Sequence, residues 1–124
     1  MEVLIESCPS FRPLWAAHLA KWGNDVLYIA AGEFAGHLLT VYRAGGDSPF
    51  PHVALAVERL HIDGSPWVKE FATVGVLEGV QNVWANGGED PEHFGAHLLP
   101  ESRRAWDALN AFWRGEKVND AETG

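Results

Sequence analysis

His93 and His97 stand four residues apart, a spacing that would place both imidazoles on one face of a helix. Imidazoles paired in this way can bind a metal ion. A helical metalloprotease motif would also need a glutamate directly after the first histidine, and here that position is Phe94. Glu92 or His61 could complete a site only through contacts made by the fold. The pair is a candidate metal site, but a surface or capping role is the preferred interpretation.

Cys8 is the one cysteine of the chain, so an internal disulfide is excluded. As a nucleophile it would need a nearby histidine, and His18 is the closest one in the sequence. A helix N-terminus favours a reactive thiolate, and Cys8 does precede a predicted helix. The preferred interpretation is nevertheless a small buried hydrophobic residue. A thiol- or metal-dependent hydrolase is therefore only the third functional hypothesis.

Carboxylates and glycine pairs offer little further chemistry. Glu70 and Glu78 are eight residues apart, about 12 Å along a helix, which is too far for one acid–base pair. The acidic residues of segment 89–92 suit the start of a helix, where they complement its dipole. The glycine pairs at 45–46 and 87–88 lack the Lys-Ser/Thr that follows a phosphate-binding loop. We predict no enzymatic activity and no cofactor.

The charge balance narrows the choice of partners. Seventeen acidic against nine basic side chains give a formal net charge of -8, whereas phosphate binding needs clustered Lys and Arg. Nucleic acid is thus an unfavourable ligand, and no apolar run reaches the roughly 20 residues of a membrane span. With 124 residues and one cysteine, the chain is expected to be a single cytoplasmic domain.

The stretch from Ser65 to Trp84 predicts a central helix. Ser65 can cap its first turn, Pro66 suits its first position, and Gly87-Gly88 can end it. At regular α-helical spacing, Val74 and Leu77 lie on the side away from the main apolar arc, which is formed by Val68, Phe71, Ala72, Val76, Val80 and Val83. Apolar residues thus occupy most of the circumference, which indicates burial by neighbours on several sides. The polar residues that cluster as a strip on this helix are Glu70, Glu78, Gln81 and Asn82.

The rest of the chain reads as further helices. Tyr28 and its neighbours (26–29) form the best strand-like run, but the run has no partner of similar quality and suits a buried helix equally well. We predict an all-α domain over residues 1–114, with about six helices in antiparallel hairpins that could form a short, right-handed, HEAT-like stack. Residues 115–124 are predicted to be a flexible acidic tail. The expected helical segments are 1–8, 10–23, 33–43, 48–62, 65–84, 91–97 and 101–114. Ser10 is expected to cap the second of these, and Trp113 is expected on the inward face of the last.

One hairpin carries a local resemblance. Val57-Glu58-Arg59-Leu60, followed by Asp63-Gly64-Ser65-Pro66-Trp67-Val68-Lys69-Glu70-Phe71-Ala72, resembles one unit of a HEAT-type helical repeat. The resemblance covers about 30 residues, without an equally good second copy. In HEAT-type stacks the second helices of the hairpins line one face. The resemblance therefore implies that the polar strip would lie in an acidic, amide-bearing groove. The preferred interpretation is instead that these groups satisfy helix ends and loop backbone inside the domain.

A wider resemblance spans the chain to about Trp113. It is carried by Glu6-Ser7-Cys8-Pro9-Ser10-Phe11, by Ala72-Thr73-Val74-Gly75 and by Pro100-Glu101-Ser102-Arg103-Arg104-Ala105-Trp106. In these segments the chain resembles an uncharacterised family of small bacterial helical proteins, a domain of unknown function. Such families are similar, by analogy, to immunity proteins that neutralise bacterial toxins.

These observations predict a protein that binds another protein and is not a catalyst. The preferred hypothesis is an immunity protein that blocks a basic toxin by stoichiometric binding, and the alternative is a regulatory or scaffold module. A homodimer is compatible with the many aromatic residues. The candidate binding residues are Glu70, Glu78, Gln81 and Asn82, extended by Glu33 and Asp107, with Trp67, Trp84 and His37 as rim aromatics.

Overall fold

The computed structural model describes residues 1–115, and these residues form an all-α fold without a strand, as predicted. A short 3-10 turn, Pro9–Phe11, precedes α2, and a π-helical segment, Phe71–Leu77, joins α5 to α6. The predicted tail lies outside the described residues, apart from Gly115. The helices are α1 (Glu2–Ser7), α2 (Arg12–Trp22), α3 (Leu27–Arg43), α4 (Phe50–Asp63), α5 (Pro66–Glu70), α6 (Glu78–Asn86), α7 (Glu92–Gly95) and α8 (Pro100–Trp113).

Helix α5, the π segment and α6 follow one another without a break, and we call this unit (66–86) the central helix. Its start was predicted correctly. The Ser65 hydroxyl accepts a hydrogen bond from the Val68 amide at 3.3 Å, and Pro66 occupies the first helical position. The chain leaves the helix through Gly87 and Gly88, and Gly88 has a φ of 79°. This left-handed conformation suits glycine because it has no Cβ.

The central helix is packed on more than one side. It contacts α3 along the π segment and α6, and it contacts α4 and α8 through the π segment. Trp84 is fully buried, and its indole N–H donates to the carbonyl of Ala35 on α3 at 3.1 Å. Burying one large apolar side chain is worth about 1.5–3 kcal/mol, so these contacts fix the helix firmly in the core. Helix α4, antiparallel partner of the predicted hairpin, also packs against α1 and α8.

The π segment was missed by the sequence reasoning. At its end the Glu78 amide donates to the Thr73 carbonyl, five residues back instead of four. Regular α-helical spacing placed Val74 and Leu77 together, on the side away from the main apolar arc. The structure buries Leu77 completely and leaves Val74 42% exposed. The wider turn changes the rotation between residues, so the two side chains take different environments.

Three local predictions also need correction. Ser10 does not cap α2, because its hydroxyl bonds the imidazole of His37 at 2.7 Å instead. Residues 27–29 are helical, in agreement with the prediction that no sheet forms, but α3 begins at Leu27 and continues past Gly32 to Arg43, so the expected helix start at residue 33 is wrong. Trp113, which was predicted to face inward, is 54% exposed because α8 turns its buried side toward the core at Trp106.

Candidate binding surface

Gln81, in the middle of the predicted polar strip, joins the central helix to α8. Its side-chain amide donates to the Trp106 carbonyl at 3.3 Å and to the Asn110 Oδ1 at 3.1 Å. Gln81 is buried, and these hydrogen bonds satisfy its amide nitrogen, whereas its Oε1 has no hydrogen-bond partner among the described residues. Gln81 therefore links the two helices structurally. The more exposed residues of the polar strip lie beside it and remain accessible.

Two surface depressions lie where the central helix meets α8, and we call their combined lining the α8 seam. The first has a volume of about 340 Å³ and is lined by Thr73, Val74, Glu78, Ala105, Ala108, Leu109 and Phe112. The second has a volume of about 300 Å³ and is lined by Gln81, Asn82, Ala85, Pro91, Asn110 and Trp113. The strip residues Glu78, Gln81 and Asn82 thus do lie on one surface, together with α8.

The α8 seam exposes large apolar groups from both helices. Val74 is 42% exposed, Phe112 49% and Trp113 54%. Single exposed apolar residues are normal, whereas several around neighbouring depressions mark an interaction surface. Among the described residues, no Lys, Arg or His lines either depression, and Glu78 supplies a carboxylate to the first. The α8 seam is therefore suited to an apolar partner segment that carries positive charge.

The other predicted binding residues do not line this seam. Glu33 on α3 contacts the buried His18 of α2, with Oε1 2.5 Å from Nδ1. Asp107 pairs with Arg103 one turn earlier on α8, at 3.1 Å. Trp84 is fully buried, so its assignment as a rim aromatic is wrong. A tryptophan on an apolar helix face fills the core readily, and no local pattern distinguishes a buried tryptophan from an exposed one.

Trp67 and Glu70 belong to a separate patch at the start of the central helix. The Trp67 ring is stacked on that of Phe71, with ring centroids 5.5 Å apart and an interplanar angle of 5°. The Tyr28 ring of α3 stands nearly perpendicular to both. Partial desolvation, and then the negative charge of Glu70, raise the pKa of the Tyr28 phenol above its usual value. We call Tyr28, Trp67, Glu70 and Phe71 the aromatic patch.

Glu58 is an important polar residue that the sequence reasoning did not single out. Although it is 7% exposed, its carboxylate accepts hydrogen bonds from the Ser102 amide at 2.9 Å, the Glu101 amide at 3.1 Å and the Ser102 hydroxyl at 2.8 Å. Burial alone would raise the pKa of Glu58, but these hydrogen bonds outweigh it and lower that pKa. The only sequence signal was a carboxylate within the apolar helix α4.

His61 extends this arrangement toward the central helix. Its Nδ1 lies 3.0 Å from the Ser102 hydroxyl, and its Nε2 lies 2.9 Å from the Thr73 hydroxyl. Burial lowers the pKa of His61 despite the opposing effects of the Val57 carbonyl and Glu58. A catalytic triad would have serine donating to histidine, whereas here the fully buried Ser102 donates to the carboxylate. The arrangement caps α8 and holds it against α4.

Cys8 is 1% exposed, and the histidine brought toward it is His37, where His18 had been expected. The Cys8 Sγ lies 3.5 Å from the Ser10 hydroxyl, which lies 2.7 Å from the His37 Nε2. Desolvation lowers the pKa of His37. Serine therefore separates the thiol from the imidazole, and burial blocks direct access of a substrate to the thiol.

His93 and His97 do not share a helical face, because α7 ends at Gly95. The His93 ring stacks on Tyr42, with centroids 5.2 Å apart, and its Nε2 lies 3.8 Å from a Glu89 oxygen. The His97 Nε2 lies 3.8 Å from Asp47 Oδ2 instead. Within residues 1–115 there is no group of three or more His, Cys, Asp or Glu side chains placed to hold a metal ion.

The helices of residues 1–115 place this chain in the class of all-α proteins. Residues 1–114 match the family model of the domain of unknown function DUF7674, and the chain is a member of that family. No curated protein and no solved structure matches the chain. None of the helices in the described part of the chain has the length and apolar character needed to cross a membrane.

Proposed function

We propose that this protein acts by binding another protein through the α8 seam. The observation that carries the proposal is the grouping of Val74, Phe112 and Trp113, each more than two-fifths exposed, around two depressions between the same two helices. Partially exposed aromatic residues with apolar neighbours are typical of the energetic centre of protein interfaces. Gln81 supports this surface from beneath by holding α8 in place.

The partner that fits this surface is a basic protein. The chain carries a formal net charge of -8, and Glu78 is the one charged residue that lines the seam in the described structure. Negative charge steers a basic partner toward the surface and speeds association. In its specific form, the proposal is a cytoplasmic immunity protein that inhibits a basic bacterial toxin by one-to-one binding. A regulatory or scaffold module with a basic cellular partner is the alternative.

Capture of the partner by matched variants tests the surface. The seam variant combines Glu78→Lys with Phe112→Ser. The control combines Glu6→Lys with Leu55→Ser, which makes the same types of change in a depression between α1 and α4. Leu55 is 45% exposed, close to the 49% of Phe112. Tagged wild-type protein and both variants, first shown by circular dichroism to be folded, are incubated with lysate of the source organism.

We expect one stoichiometric basic partner on the wild-type protein and the control, with at least about tenfold weaker binding to the seam variant, equivalent to about 1.4 kcal/mol. High salt should slow association because it screens the charges. Equal binding by all three proteins, or loss only in the control, would contradict the use of the α8 seam. Absence of a partner at low and high salt would contradict the binding function.

The identity of the captured partner then separates the two forms of the proposal. For an immunity protein, adding the purified chain should abolish the toxin's activity at a one-to-one molar ratio, and the seam variant should need an excess. A housekeeping partner whose own activity is unchanged would support the scaffold form.

A further inference from the structure

Trp67 presents one face of its indole ring to solvent at the start of the central helix. Phe71 covers the opposite face in a parallel stack, and Trp67 remains 52% exposed. Tyr28, 42% exposed, stands nearly perpendicular to Trp67 at a centroid distance of 6.5 Å. Phe71 itself is buried and anchors the stack to the core. The two outer rings therefore form a rigid aromatic corner on the surface.

Glu70 places a negative charge beside this corner. It lies three residues after Trp67 on α5, so the two side chains are neighbours on the helix surface. Its charge also reaches Tyr28, since it contributes to the raised pKa of that phenol after desolvation. Glu70 is exposed, and within residues 1–115 no Lys, Arg or His forms an ion pair with it.

We infer that the aromatic patch is a docking point for an arginine side chain of the protein partner. A guanidinium is planar, stacks on indole faces and pairs with carboxylates, so it matches the open face of Trp67 and the charge of Glu70 together. The negative charge of the whole chain favours the same cationic ligand. The aromatic patch lies outside the α8 seam. The inference rests on the proposed function in one respect, namely that the arginine belongs to the protein partner.

A small-molecule titration tests the site without the partner. The ligand is N-acetyl-arginine N-methylamide, and the matched neutral ligand is the citrulline analogue, which has nearly the same shape without the charge. The readout is the indole N–H signal of Trp67 in a proton–nitrogen correlation spectrum, assigned by its loss in Trp67→Phe. We expect the arginine analogue to shift this signal saturably at millimolar concentration, and the citrulline analogue to shift it much less.

Glu70→Gln keeps the shape of the side chain and removes its charge. This variant should weaken binding of the arginine analogue about threefold or more, as expected for one exposed charge pair. Glu6→Gln, the same change at an exposed glutamate in the depression between α1 and α4, should bind the analogue like the wild type. Equal shifts by the two ligands, or an unchanged affinity in Glu70→Gln, would overturn the inference. The partner-capture experiment with the seam variant tests a different surface. If it contradicts the use of the α8 seam, the titration of the aromatic patch can still be interpreted.

Discussion

At the scale of single residues, Glu58 shows how a buried charge can organise an element far away in sequence. Its carboxylate, on α4, accepts hydrogen bonds from the backbone amides of Glu101 and Ser102 at the start of α8. The first amides of a helix have no partner within it, and a carboxylate there also complements the helix dipole. Glu58 therefore performs the capping role that a residue next to α8 would ordinarily have.

Replacing Glu58 with Ala should destabilise the protein by about 3 kcal/mol. The substitution leaves the buried amide and hydroxyl of Ser102, and the partly buried amide of Glu101, without this acceptor. A buried donor without an acceptor costs about 1–3 kcal/mol. Urea unfolding followed by circular dichroism measures the change. Arg59→Ala is the control, because Arg59 is the exposed neighbour on the same helix and should change stability by less than about 0.5 kcal/mol. Equal stability of both variants would show that α8 does not depend on Glu58.

Side-chain partners were harder to predict than side-chain types. The sequence identified Glu78, Gln81 and Asn82 as one polar strip, and the structure places them together along the α8 seam. It did not show that Gln81 would be buried against Trp106, or that Glu58 would reach α8. Both contacts join residues more than twenty positions apart, and no local pattern specifies which distant amide a side chain meets.

At the scale of elements, the π segment sets how closely α3 and the central helix approach. A Cβ on Gly75 would lie 3.0 Å from Phe71 Cδ1 and 3.4 Å from Tyr28 Cδ1. The absence of a side chain at Gly75 therefore leaves the room in which Phe71 and Tyr28 meet. Gly32 on α3 differs, since a Cβ there would meet nothing within 4 Å.

Gly75→Leu should destabilise the protein by about 1–3 kcal/mol, because it forces the rings of the aromatic patch out of place. Gly32→Ala should instead stabilise it by about 0.5–1 kcal/mol, since alanine favours an unobstructed helix interior. Thermal unfolding of both variants measures the two effects. A Gly75→Leu protein that melts like the wild type would mean that this face of the central helix is open.

Helix ends were predictable where local chemistry defines them. Ser65-Pro66 and Gly87-Gly88 predicted the limits of the central helix, because capping and glycine conformations act over a few residues. The π segment between them was not predictable, because its amino-acid composition resembles that of an ordinary α-helix. Nothing in that composition indicates a hydrogen bond between residues five positions apart. Its apolar residues are packed by neighbouring helices, and that environment exists only in the folded chain.

At the scale of the whole molecule, two partly buried histidines link stability to pH. The pKa values of His61 and His37 are both lowered in the fold, mainly by burial. Below the ordinary histidine pKa of about 6.5, the unfolded chain therefore binds more protons than the folded one. The stabilising contribution is complete above that pH and is lost as pH falls through the lowered values. The lowered pKa of Glu58 extends the loss to more acidic solutions.

We therefore expect the melting temperature to fall between pH 7 and pH 5. His61→Gln should make this fall shallower, whatever its effect on the absolute stability, because one of the responsible groups no longer titrates. Calorimetry at several pH values measures the slopes, and identical slopes in the variant and the wild type would contradict the role of His61.

The π segment also determines where a single residue could be deleted from this chain with least damage to the fold. In the π segment the hydrogen bond links residues five positions apart instead of four. The segment therefore contains one more residue than an α-helix with the same number of turns. Removing Val74, whose side chain is exposed, would allow segment 71–77 to become α-helical while Trp67 and Trp84 keep nearly the same relative orientation. Removing Ala85 from α6 would rotate everything beyond it. Shortening is thus expected to be tolerated best in the middle of the central helix, where five of the seven residues of the π segment are buried and deletions are ordinarily most damaging.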